Sequence, residues 1–182
     1  IIRGFIESYS SGQTPNPCIF CNPQIKFRAL LATADEVGAG FIATGHYARV
    51  ARDPKTGIFH IHKAMAAAKD QSYMMYRLEQ DVLSRLLLPL GELSSKEETR
   101  ALVRGRRVDN ADKRDSQEIC FLQGGSYVDF LEGSGLESEA GDFIDNQGNV
   151  IGRHKGLHRY TIGQRKGLGA TFGRPVFVTA ID

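Results

Sequence analysis

At 182 residues the chain is long enough for one good core or for two modest domains, and its 41% hydrophobic and 24% charged residues exclude a disordered tail or a fibre. A net charge of +2 sets up no global field of the kind that marks a general nucleic-acid binder. Three cysteines are too few, and too odd in number, for a secreted disulfide scaffold, which points to a reducing compartment, the cytoplasm, and to chemistry at the thiols.

The opening run Ile1-Ile2-Arg3-Gly4-Phe5-Ile6 has neither the basic region nor the cleavage site of a signal peptide and reads as the interior of something longer. Next, Thr14-Pro15-Asn16-Pro17 fixes φ at two positions and stiffens the loop ahead of Cys18-Ile19-Phe20-Cys21. A helix is predicted over residues 22–37: Asn22 caps it, Pro23 suits its first position, Phe27, Leu30, Leu31, Ala34 and Val37 line one face, and Gly38 ends it. The apolar run Phe41-Ile42-Ala43-Thr44 follows as a buried strand whose end opens into Gly45-His46-Tyr47. A helix feeding such a strand is an α/β signature, and ligands of these sheets gather at the carboxyl ends of strands.

Further on, an alternating strand is predicted over residues 57–63, then Lys69-Asp70-Gln71-Ser72, then helices over residues 79–88 and 95–104, the second opened by a capping box at Ser95 and Glu98. The longest apolar stretch, Leu86-Leu87-Leu88-Pro89-Leu90, falls far short of the roughly 18 residues a membrane helix requires, so no span is expected. Gly124-Gly125 reads as a hinge, 127–131 as a short helix and 143–151 as a hairpin about Asn146-Gln147-Gly148-Asn149. The domain boundary is placed there, giving domains over residues 1–124 and 125–182. Between Asn146 and Ile181 no acidic residue occurs, whereas Arg153, Lys155, Arg159, Arg165, Lys166 and Arg174 do, with His154 and His158 among them. This stretch is expected to present a cationic surface, although Tyr160 within it suits a core.

Cys21 immediately precedes the predicted cap, where a helix macrodipole and unpaired N–H groups favour a thiolate. A lone C-x-x-C is compatible with a redox pair, half a zinc site, cluster ligands or two unrelated thiols. Structural zinc lacks the matching second pair. Cys120, between Ile119 and Phe121, reads from those neighbours alone as an inert buried residue on a strand.

The runs TPNPCIFCNPQIKF, ATGHYARV, KDQSYMMY, PLGELSS, DSQEICF and IGRHKGLHRYTIGQRKGLG, taken together and in this order, resemble the tRNA-specific 2-thiouridylases, ATP-dependent enzymes that replace the C2 oxygen of the wobble uridine with sulfur. The resemblance covers nearly the whole chain. It implies an α/β fold: the remainder of a PP-loop ATPase domain with a parallel sheet (adenine nucleotide alpha hydrolase-like), then a small mixed α/β central domain that binds tRNA. It also implies that Cys21 is the nucleophile and Cys120 the carrier of a persulfide sulfur, the two closing a disulfide during turnover. Asn16, Pro17 and Cys18 match the segment that contacts the target base. Some relatives have aspartate at position 18, so no general-base role passes to Cys18. Lys69, Asp70 and Gln71 match a tRNA-contacting segment, and Gly45 matches a glycine that contacts ATP, with Mg2+ as its companion.

The partners implied are tRNA and a persulfide sulfur-donor protein, with no DNA and no membrane. Arg165 and Lys166, in the basic stretch, are assigned to tRNA binding. The family's glycine-rich nucleotide loop and its C-terminal barrel are not in this sequence, so the chain reads as a fragment that by itself binds ATP poorly. Two alternatives stay open. Cys18, Cys21 and Cys120 are also a ligand set for an iron–sulfur cluster, and the chain is also readable as a tRNA-binding fragment without turnover.

Overall fold

The structure is a computed structural model that describes residues 1–104, 119–122 and 124–182. The chain divides into two compact units, one made of Ile1–Pro17 with the described residues from 119 onward, the other of the described residues 18–104. In chain order the helices are α1 (Ile2–Ser10), α2 (Pro17–Cys21), α3 (Phe27–Glu36), α4 (Gln80–Ser84), α5 (Lys96–Arg104) and α6 (Tyr127–Gly133). The strands are β1 (Ile42–Ala43), β2 (Ala48–Arg52), β3 (Phe59–Lys63), β4 (Leu86–Leu87), β5 (Gly141–Ile144) and β6 (Val150–His154).

In the unit of residues 18–104, β1 and β4 pair in parallel, Ile42 with Leu86 and Ala43 with Leu87, while β2 and β3 form an antiparallel hairpin. Between the two parallel strands runs a long crossover that includes that hairpin and α4, which bears out the α/β reading. Phe27, Ile42, Ala48, Met75, Leu78, Leu83 and Leu86 form its core. Each of the larger side chains there stabilises the fold by about 1.5–3 kcal/mol through removal from water.

The predicted helix over residues 22–37 is observed differently. Helical backbone begins at Pro17, five residues earlier, and α2 runs through a π-turn, Asn22–Lys26, into α3. Pro17 takes the first helical position, where no N–H is needed. Pro23, inside the run, can donate no N–H and would crowd the preceding turn of a regular α-helix; the widened turn accommodates it. Asn22 is thus interior and buried, and Cys21 stands at the end of α2 instead of at a helix N-terminus. Cys21 therefore does not occupy the helix N-terminus that its sequence position suggested.

The helix predicted over residues 79–88 stops at Ser84, and Leu86–Leu87 is β4. Periodicity cannot separate a short buried strand from a buried helix, and Pro89 pushes Leu88 out of the helical region, to φ −123° and ψ 71°. Arg85, at the junction, donates from Nε to Gly40 O at 3.0 Å and from Nη2 to Ala39 O at 2.9 Å. Its ion pair with the exposed Asp35 contributes only about 0–1 kcal/mol, so the two carbonyl bonds are what pin α4 to the chain after α3. The cap at α5 is observed: Ser95 Oγ accepts from Glu98 N, and the Glu98 carboxylate accepts from Ser94 N.

The other unit gathers Phe5, Tyr9 and Leu131, with Phe121, Tyr127 and Phe130 against them. Helix α1 was not predicted, yet Phe5 and Tyr9, four apart, lie on its buried face. The predicted short helix is α6, whose Ser126 cap accepts from Val128 N. The predicted hairpin is β5–β6, its turn tied by Asp145, which accepts from Gln147 N and Asn149 N at 2.9 Å each. Tyr160 is buried against Phe143 of β5 and donates to Leu168 O, so it packs inside, beside the hairpin.

Candidate functional site

Cys18 and Cys21 lie three apart on α2, both partly exposed and both reduced thiols. Beside Cys21, Phe20 is 46% exposed and the Arg77 guanidinium stands 4.9 Å from its ring centroid. Asn22 reaches inward, where Nδ2 donates to Met74 O at 3.0 Å. The helix bearing the two thiols is therefore tied to the turn that follows Lys69-Asp70-Gln71.

In that turn the polar side chains are largely used within the unit. Asp70 accepts from Ala64 N at 2.8 Å and from Ser72 Oγ at 2.7 Å, bonds that outweigh its desolvation and hold its carboxyl below the usual range. Gln71 Oε1 accepts from Tyr47 N at 2.9 Å while Gln71 N donates to Tyr47 O at 2.8 Å. Gln71 thereby fixes the chain just after β1, where Gly45 is exposed and Thr44 Oγ1 bonds His46 Nδ1 at 2.8 Å. Tyr47 also bonds Thr99 of α5 at 2.9 Å. On α5, burial lowers the Lys96 pKa, and the charges of Arg100 and Lys69 lower it further, so three cations share that neighbourhood.

Burial lowers the His46 pKa as well, with the Lys26 charge adding to it. Because the folded state resists protonating this ring, its contribution is complete above the unfolded value of about 6.5 and is lost as pH falls from there through the lower folded pKa. Denaturation midpoints should accordingly drop more for the wild type than for His46→Gln between about pH 7 and pH 5.5; parallel drops would remove His46 as the cause.

In the other unit, Asn16 is partly exposed and Pro17 is buried, which restricts what Pro17 offers a ligand. Cys120 is exposed on a 3-10 turn, Cys120–Leu122, while its neighbours Ile119 and Phe121 pack on the Phe5 cluster. The expectation of an inert buried strand residue is thereby corrected: the flanking side chains go in, and the thiol goes out. Residues 115–118, the first part of the DSQEICF run, lie outside the described residues.

The basic stretch separates into two classes. Arg153, Lys155, Arg165, Lys166 and Arg174 are exposed. His154 and His158 are buried, and both His158 Nε2, at 2.9 Å, and the Arg159 guanidinium are held by Glu132. Gln164 braces the loop that carries Arg165 and Lys166: its Oε1 accepts from Thr161 N, its Nε2 donates to Lys166 O, and its backbone accepts from Val178 N, each at 3.0 Å. Gly163 and Gly167, at φ +87° and +71°, supply the left-handed turns on either side. Arg165 and Arg174 line one open concavity with the glycine-rich run between them.

Among the described residues no group of three or more His, Cys, Asp or Glu is placed to hold a metal ion, and no helix is long and apolar enough to cross a membrane. Sequence reasoning missed Asn22, whose neighbour Pro23 made it look like a cap, and the Arg77–Phe20 contact, for which no sequence signal exists.

Two family models match the chain: "tRNA methyl transferase HUP domain" over residues 1–124 and "tRNA methyl transferase PRC-barrel domain" over residues 128–182. The curated tRNA-specific 2-thiouridylase MnmA of Trichlorobacter lovleyi is 50% identical over 182 residues, all of this chain and 51% of that protein. Those of Carboxydothermus hydrogenoformans and Clostridioides difficile are 49% and 43% identical, again over the whole chain and 50% of each protein. The chain spans about half the length of the curated relatives it matches. With a HUP domain model matched over its first two thirds and this identity throughout, the chain belongs to the tRNA-specific 2-thiouridylase family.

Proposed function

We propose that the protein containing this chain transfers sulfur, at the expense of ATP, to C2 of the wobble uridine of tRNA, with Cys21 as nucleophile and Cys120 as the persulfide carrier. One observation carries the reading beyond family membership: the thiols at 21 and 120 both reach solvent, although the residues around each are anchored in a core. Thiols placed in this way serve chemistry better than packing. The matching domain families are named for methyl transfer, whereas two accessible cysteines suit a sulfur relay.

ATP, when bound, activates the C2 oxygen by adenylation so that AMP leaves. The exposed Gly45 at the end of β1 fits one side of a nucleotide: among the described residues beyond its chain neighbours, the nearest atom to where a Cβ would stand is Leu90 Cδ1, at 3.5 Å. The terminal sulfur of a Cys120 persulfide forms the new bond to C2. The Cys21 thiolate then attacks Cys120 Sγ and breaks the sulfur–sulfur bond, leaving the thiocarbonyl on the base and a Cys21–Cys120 disulfide. A dithiol reductant restores both thiols between turnovers, which suits a cytoplasmic location. A persulfide-bearing donor protein reloads Cys120.

Presenting the base requires unstacking it from the anticodon, at about a few kcal/mol, which backbone contacts must offset. Asn16 and Cys18 are assigned to the target base, with Pro17 shaping the segment, and Lys69 to tRNA together with Arg165 and Lys166. Asp70 and Gln71 serve this contact through the turn they hold. Neutralising Arg165 and Lys166 together should weaken tRNA binding and lower the salt slope by roughly one to two units, since each lost phosphate contact removes about 0.7–0.9 of a unit. An unchanged affinity across a salt series would withdraw these two residues. The whole reading is tested by a single-turnover assay of a full-length protein, one of the relatives' length that contains this chain, given tRNA, ATP and a persulfide donor. Mass spectrometry should find 2-thiouridine in the tRNA, and its absence would overturn the assignment.

A further inference from the structure

Asn22 is 1% exposed although its side chain is an amide, and a buried amide without a partner is costly. Its partner is the Met74 carbonyl, three residues beyond Gln71. The Asn22 carbonyl also opens the π-turn, accepting from Phe27 N–H, and Phe27 is fully buried. In a regular α-helix residues five apart are about 140° apart around the axis, whereas an i→i+5 bond sets them nearly one above the other. The widened turn brings Asn22 and Phe27 toward one side, and both are buried. The direction in which Cys21 points follows from that turn, because every residue before it is rotated by the same step. On the other side of Cys21, Arg77 over Phe20 is a second tie to the same stretch of chain.

We propose that Asn22 is the positioning residue of Cys21: its amide, held by Met74 O, anchors the start of the π-turn that Pro23 requires and locks the thiol's orientation to the turn that follows Lys69. The catalytic meaning rests on the reading of Cys21 as nucleophile. The mechanical claim stands independently of it. Contact made at Lys69 would then be transmitted to Cys21 through a rigid bond instead of a loose loop.

The test is the alkylation of this chain by iodoacetamide, followed cysteine by cysteine with mass spectrometry. Asn22→Asp keeps the shape but loses the donor, and Asn22→Ala loses both. Each should change the Cys21 rate constant by about threefold or more while Cys120 stays within about 1.5-fold. Arg77 is exposed, so Arg77→Ala will fold, and it should shift Cys21 by about twofold against the same Cys120 control. In a full-length protein Asn22→Asp should lower the single-turnover rate about tenfold or more with the KM for tRNA within about twofold.

Unchanged Cys21 rates in the folded variants would overturn the proposal. Equal changes at Cys21 and Cys120 would overturn it too, since they mark general loosening. If neither Asn22 variant folds, Asn22→Ser, a smaller polar side chain too short to reach Met74 O, decides: a Cys21 rate constant unchanged from wild type would overturn the proposal. A Cys21→Ser protein that still makes 2-thiouridine would remove the functional reading while leaving the alkylation result untouched.

Discussion

Cys21→Ser in a full-length protein is expected to lower 2-thiouridine formation by about 10³-fold or more, with tRNA affinity within about twofold of wild type. Serine matches cysteine in shape, so the helix and its π-turn persist. Its hydroxyl stays protonated near neutral pH and cannot accept the sulfur–sulfur bond that the relay must exchange. A factor of 10³ corresponds to roughly 4 kcal/mol of lost transition-state stabilisation. Cys120→Ser should behave alike, because the two thiols act in one sequence, and the double variant should be no worse than either single one. Cys18→Ser separates the remaining alternative. In a two-thiol relay it should cost about threefold or less, whereas three thiolates acting together as cluster ligands would make its loss as severe as the others. Retention of activity by Cys21→Ser would end the relay account.

Gly91→Ala should destabilise the unit of residues 18–104 by about 3 kcal/mol or more, at the upper end of overpacking costs. Gly91 is buried in the turn Pro89–Glu92, and a Cβ there would lie 1.7 Å from the Ala48 carbonyl oxygen and 2.5 Å from its carbon. Both neighbours are backbone, so no rotamer change relieves the clash. The turn cannot easily retreat, since Gly91 O accepts from Met65 N at 2.9 Å, and β2 cannot either, since Ala48 is paired to Lys63 and fully buried. For a domain of this size each kcal/mol shifts Tm by about 4–8 °C, so a fall of roughly 10 °C or more is expected in thermal unfolding. Gly4→Ala is the control. Among the described residues beyond its own helix backbone, nothing lies within 4 Å of its Cβ position, and inside α1 it should be neutral or stabilising by about 0.5–1 kcal/mol. A Gly91→Ala protein that melts with the wild type would contradict the packing described for the turn.

The two substitutions show how unevenly the sequence could be read. Gly4 and Gly91 are the same letter, and only the second is pressed against another strand's backbone. The helix of residues 27–36, the strand at Ile42–Ala43 and the hairpin closed by Asp145 were legible because each is specified locally, by apolar spacing, bounding glycines or a side chain that bonds its own turn. Helix α1 carries its spacing only at Phe5 and Tyr9, a single apolar pair with no capping side chain to mark its start.

Local order alone determined the family's string of motifs, the cationic stretch, the cap at Ser95 and the cysteines as the residues to ask about. What the tertiary structure decided was direction and partnership. It turned Cys120 outward while Ile119 and Phe121 went in, spent His158 and Arg159 on Glu132, and moved Asn22 from a helix cap to a buried bond with Met74. Those outcomes depend on which distant groups meet in a close-packed interior, where a polar atom must find a partner wherever the chain brings one. Neighbouring letters cannot encode such a pairing, because the partner is 52 residues away for Asn22 and 26 for His158.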